Sequence, residues 1–239
     1  MDRTNATDDL KTKAIDYVAA GTKAALGAVP FAGSLLVEIA GSIIPNQRID
    51  RIADFAQKLQ ERIAHLEEAA VTAELNDEEF TDLVEEALRQ ASRATSDERR
   101  AYLASLTANS LSSGAVEHAE SKHLMSILGE LNDIEVLWLR LYCRPTLGGD
   151  EEFRTLHADV FEPRYATMGS PQDELDDATL QRSYRDHLLR LGLLKQHLRT
   201  SRDGTPEFDT STGQPRVSYT EASSLGRLLL RSIGMIEEE

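Results

Sequence analysis

The sequence predicts a mainly α-helical fold: a multi-helix bundle with a C-terminal winged-helix-like unit carrying a short β-hairpin. Three observations lead there. Apolar residues recur at steps of three and four over long stretches between about 46 and 141, the period of helices with one buried face. Cap residues punctuate these stretches, as at Asn132, which has Glu135 three positions on. Near the C-terminus the pattern changes to helix, short strand, polar loop, short strand, helix.

Taken in order, the first ten residues are polar and read as a frayed start. Residues 24–44 form a small-residue apolar segment in which Lys23 and Glu38 bracket 14 uncharged residues. Ala20, Ala24, Ala28 and Ala32 form one row at four-residue spacing, with Gly21, Ala25, Val29 and Gly33 beside it. Such rows let helix backbones approach closely. Pro30 breaks the helix, so residues 1–45 read as a helical hairpin with its corner near Pro30 and Gly33. Gly21, Leu26, Pro30, Phe31, Gly33, Leu35 and Leu36 are the residues expected to pack, or to meet lipid. The segment barely reaches the length of a membrane span, and its Ala, Gly and Ser content contributes little transfer energy. Burial in a water-soluble form, conditional entry into lipid and a constitutive span all remain open.

Residues 46–144 read as the helical bundle. Ile49, Ile52, Ala56, Leu59, Ile63, Leu66, Ala70 and Ala73 step without a miss, a seam of roughly 37 Å at 1.5 Å per residue. Ile49, Ile52, Leu59, Ile63 and Leu66 are therefore candidate interaction residues in a coiled-coil dimer. Phe55 widens the stripe, which suits the central helix of an intramolecular bundle. Further helices start within Asn76-Asp77-Glu78-Glu79 and at Ser96, a third spans 118–131, and the apolar run 136–141 that follows the cap at Asn132 is a core helix. Residues 145–178 read as an irregular connection with a helical piece around 153–161. The unit from 179 to 239 begins with a helix over 180–194, turning at Gly192. Strands follow at 195–199 and 217–219 around a wing loop over 200–216, and Thr220 is expected to cap the last helix.

The formal net charge is −15, which repels phosphate and argues against nonspecific nucleic-acid binding by the whole molecule. Residues 179–236 hold nine Lys/Arg against five Asp/Glu, so Arg199, Arg202 and Arg216 are the candidates for any nucleic-acid contact; protein contact is the preferred reading. A single cysteine, Cys143, in apolar surroundings excludes an internal disulfide framework and fits a reducing cytosol. The acidic start MDRTNATDD lacks the positive region of a secretory signal. His118 and His123 lie about 140° apart around a helix, so they do not form a ligand pair on one face. No phosphate loop, nucleophile elbow or Cys-x-x-Cys is present. The expectation is a non-enzyme with no catalytic residue, cofactor, metal or small-molecule substrate.

Residues 96–109, 124–135 and 189–194, with Tyr219-Thr220 and Leu225-Gly226-Arg227, are similar in order and spacing to bacterial abortive-infection alpha (Abi-alpha) proteins. The resemblance covers roughly residues 46–235, and its motifs are mainly helix-packing patterns. His118-Ala119 stands where the family tends to show His-Pro. The resemblance implies a helical protein of antiphage defence, with no catalytic residue to carry over. Together these features lead to the expectation of a cytoplasmic protein, peripheral at the inner membrane when its N-terminal hairpin is released, acting on a protein partner or through self-association. A winged-helix DNA-binding regulator and a helical scaffold or oligomerisation module are the alternatives.

Overall fold

The computed structural model describes residues 48–66, 77–112, 115–143, 150–167, 169–210 and 213–237. The expected N-terminal hairpin, with Gly21, Leu26, Pro30, Phe31, Gly33, Leu35 and Leu36, lies outside the described residues. The described residues are mainly helical with one small antiparallel sheet, and the chain divides into two compact units.

The first unit comprises residues up to 129 together with 232–234. Among the described residues its helices are α1 (Ile49–Ile63), α2 (Glu78–Arg93), α3 (Asp97–Asn109) and α4 (Ala115–Glu130), the last of which ends at the unit boundary, with a 3₁₀ turn at Ser110–Ser112. α1 packs on α3 and α2. Ile52, Phe55, Ala56, Leu59 and Ile63 from α1 are buried with Phe80, Leu83 and Leu88 from α2, Leu103 and Leu106 from α3, and Met125 and Leu128 from α4. The caps follow the sequence: Asp77 accepts from the Phe80 N–H at 3.0 Å and Ser96 from the Arg99 N–H at 3.1 Å. The charged edge is also ordered. Asp54 pairs with Arg100 and, at 3.3 Å, with Lys58. Burial pushes the Asp54 carboxyl up, but hydrogen bonds from Arg100 and Lys58 outweigh it and hold the group below the usual carboxylate range.

One expectation changes in this unit. α1 ends at Ile63, because the Leu66 N–H turns back to the Ile63 carbonyl at 2.9 Å and closes a turn. Leu66 is thus off the helix and half-exposed, so α1 does not carry the seam past Ile63; Ala70 and Ala73 lie outside the described residues. His118 is a core residue held between the Ser110 carbonyl at 3.1 Å and the Asp77 carboxylate at 3.4 Å. Its ring also lies 5.7 Å from that of Phe80.

The second unit comprises residues 130–231 and 235–239. It contains α5 (Asp133–Leu141), α6 (Glu151–Leu156), α7 (Ala158–Phe161), α8 (Gln172–Arg190), β1 (Leu194–Leu198), β2 (Val217–Ala222) and most of α9 (Ser224–Ser232). α8 packs on α5 and β1. Val136, Leu139, Leu188, Leu193, Leu194, Ala222, Leu229 and Leu230 form the core, and Cys143 is buried as expected. Asn132 and Glu135 form a complete capping box, each side chain bonded to the other's backbone N–H at 2.9 Å. The second Glu135 oxygen is hydrogen-bonded to His187 Nδ1 at 2.7 Å, which fixes α8 against the start of α5. Asn132→Ala should therefore lower the unfolding free energy by about 1 kcal/mol, read in urea by the fluorescence of Trp138, the chain's single tryptophan.

The bundle was expected to run to residue 144, but the units divide between 129 and 130, because the inner face of α5 packs on α8. The expected irregular stretch over 145–178 contains two short helices and the first turns of α8. That helix starts at Gln172, eight residues before the expected position: Pro171 stands at its N-cap, with Asp173 and Glu174 in the first turn where the helix dipole favours acids. Thr220 lies inside β2, and Ser223 caps α9 by accepting the Gly226 N–H at 3.1 Å.

Candidate interaction surface

β1 and β2 pair antiparallel, with Leu194 opposite Ala222 and His197 opposite Tyr219, and a bulge between His197 and Leu198 places Leu198 opposite Val217. The segment expected to be a polar wing loop is itself partly paired. The Arg199 N–H donates to the Arg216 carbonyl, and the N–H groups of Glu207 and Arg216 donate to the carbonyls of Arg199 and Glu207, all at 2.8 Å. Thr200 and Pro206 form an antiparallel bridge, and so do Phe208 and Pro215. Residues 206–208 thus lie between the two flanks as a third short segment. At the first tip Asp203 Oδ1 accepts from the Thr205 N–H at 3.1 Å and the Thr205 hydroxyl at 2.7 Å. These hydrogen bonds hold the Asp203 carboxyl below its usual range.

The candidate cations sit on this surface in unequal states. Arg199 pairs with Glu207 at 3.1 Å and Arg216 with Asp209 at 3.8 Å, while Arg202, exposed at the tip, has no ion-pair partner among the described residues. A phosphate would have to compete with two carboxylates already in place. Next to them are apolar groups that the sequence reading missed: Leu198, Phe208, Val217 and Tyr219 are all exposed. Tyr219 stacks on His197 with ring centroids 4.1 Å apart and planes 9° apart, and His197 Nε2 is hydrogen-bonded to Glu221 at 2.7 Å. The available signal was Phe208 between two acids in a polar loop, followed by Pro215, Val217 and Tyr219 at alternate positions.

Other exposed apolar side chains lie elsewhere in the second unit: Leu156 is 73% and Tyr165 82% exposed, and Leu180 projects from α8. The large apolar side chains most open to solvent among the described residues all belong to this unit. By contrast the candidate seam residues Ile52, Leu59 and Ile63 are buried within the first unit, and nothing of the Ile49 side chain is described. Among the described residues, no helix is long and apolar enough to cross a membrane, and no group of three or more His, Cys, Asp or Glu side chains is placed to hold a metal ion. Comparison with known proteins returns no matching family model, no matching curated protein and no matching solved structure.

Proposed function

We propose that this chain is a non-enzymatic helical effector of the abortive-infection type, whose winged-helix-like C-terminal unit binds a protein partner. The observation that carries this reading is the concentration of exposed Leu198, Phe208, Val217 and Tyr219 on a hairpin whose flanking arginines are neutralised by neighbouring acids. An apolar patch with balanced charge suits a protein partner better than a polyanion. The order of helix, strand, folded loop, strand and helix supports the winged-helix likeness, and such units serve protein contact as well as nucleic-acid contact. DNA binding has less support, since Arg199 and Arg216 are paired with carboxylates and Arg202 alone of the three has no carboxylate partner among the described residues. A scaffold built on the 49–73 seam draws no support from Ile52, Leu59 and Ile63, which are buried inside their own unit.

The second part of the proposal rests on sequence alone. The small-residue hairpin over 21–44 is sheltered at rest and is released toward the inner membrane when a trigger uncovers it. Phage plating on bacteria producing the protein tests the first part. Phe208→Ser with Tyr219→Ser should abolish protection while the protein stays folded by circular dichroism, at a cost of about 1–2 kcal/mol for the lost ring contacts; full protection by the double variant would remove the hairpin from the mechanism. Liposome leakage with the full chain and with a chain starting at Asn46 tests the second part. Leakage by the full chain alone is expected, and leakage by neither under any trigger would remove the membrane role.

A further inference from the structure

The first unit carries a cleft of about 310 Å³ between the end of α1 and the C-terminal half of α3. Its polar lining comes from Arg62, His65, Ser105 and Asn109, and Leu66 and Ala108 add apolar surface. The Arg62 guanidinium has five N–H donors. Two are engaged, one from Nε to Ser105 Oγ at 2.8 Å and one from Nη1 to the Lys58 carbonyl at 3.1 Å, and both acceptors are neutral. Other cations of the protein are matched differently: Lys58, Arg89, Arg100, Lys122 and Arg140 each have a carboxylate within 4 Å. Arg62 has none among the described residues, in a chain of net charge −15.

The facing helix adds a hydroxyl donor. Ser105 is only 6% exposed, and its hydroxyl accepts from Arg62 while its own proton has no acceptor among the described residues. Gly234 keeps the space open: at φ +74 it is in the left-handed region, and a Cβ there would stand 3.2 Å from Ser105 Oγ. The cleft therefore presents a guanidinium fork and a buried hydroxyl donor, with an imidazole and apolar side chains beside them.

We infer that this cleft binds a singly charged carboxylate carrying a small apolar body. A planar guanidinium fork takes a carboxylate through two parallel hydrogen bonds, and the Ser105 proton supplies a third. Leu66 and Ala108 account for the apolar body. The strongly negative protein disfavours multiply charged phosphates at long range, which selects a monoanion. The carboxylate belongs either to a free small acid or to the C-terminus of a peptide.

Titration calorimetry on the full chain tests this with sodium benzoate, inorganic phosphate, an apolar pentapeptide with a free C-terminus and the same peptide amidated. Saturable binding of benzoate or of the free-acid peptide is expected, with an affinity in the roughly millimolar range or better. The better of the two identifies the source, and the amide should not bind. Arg62→Gln should weaken binding at least about tenfold, while Arg93→Gln, at an exposed arginine on α2, should leave it unchanged. Ser105→Ala should weaken binding severalfold, and it decides the matter if circular dichroism shows that Arg62→Gln is unfolded. The inference is overturned by absence of saturable binding, by phosphate binding more tightly than either carboxylate, by equal binding of the amide, or by unchanged affinity in a folded Arg62→Gln or in Ser105→Ala.

Discussion

Gly226→Ala should destabilise the second unit by about 3 kcal/mol or more, at the upper end of what overpacking costs. A Cβ at this position would lie 2.3 Å from the Leu193 carbonyl oxygen and 3.0 Å from Leu139 Cδ1. The first obstacle is backbone and cannot swing aside. It is also held in place, because the Leu193 carbonyl accepts the Ser223 N–H at 2.9 Å and the Ser223 hydroxyl reaches the Gly192 carbonyl at 2.6 Å. The turn between α8 and β1 is thereby fastened to the first turn of α9. To admit a methyl group α9 must lift, which breaks these bonds and opens the core at Leu229 and Leu230. Urea unfolding followed by Trp138 fluorescence measures the loss, with Leu228→Ala, at a more exposed position on the same helix, as a control expected to cost less than about 1 kcal/mol. An unchanged midpoint for Gly226→Ala would mean that α9 does not rest on the Leu193 carbonyl.

What the sequence revealed and what it hid follow one physical division. Signals completed within a few residues were legible: the caps at Asp77, Ser96 and Asn132, the turn at Gly192 with φ +72, and the return from β1 to β2. Pro171 followed by Asp173 and Glu174 was an equally local start signal, but it was hidden among the prolines and glycines of its neighbours. The exposed hairpin surface was half legible. The arginines could be named, but their pairing with Glu207 and Asp209 depends on residues 206–208 folding between the flanks, and no local pattern encodes that. The division between 129 and 130 was not legible, since it depends on α5 preferring α8, some forty residues away, to the helices before it. The Arg62 cleft is the extreme case, assembled from residues 62–66, 105–109 and 234, whose spacing in the chain carries no periodic signal.

Leu59→Asp should abolish most of the helical circular dichroism of the first unit, and Ile63→Asp should do the same. Both side chains are in the core, Leu59 4% and Ile63 1% exposed, on a helix packed against α3 and α2. An aspartate there must either ionise in an apolar setting or take up a proton, and it has no hydrogen-bond partner in either form; each change also removes the packing of a large aliphatic group. The combined penalty, on the order of 4–5 kcal/mol or more, is comparable with the total stability of a domain of this size. A seam between two chains would behave differently. There the substitution would break the association and leave folded monomers, so light scattering would give half the mass with the helical signal retained. The burial of Ile52, Phe55, Leu59 and Ile63 against residues of the same chain leads to the first outcome: helicity lost, with no folded monomer of halved mass. A heptad pattern alone cannot separate these cases, since the same three-four spacing buries a helix against its own bundle or against another copy. The breadth of the buried stripe separates them, and Phe55, fully buried beside the strict seam, makes this stripe wide enough for two neighbouring helices.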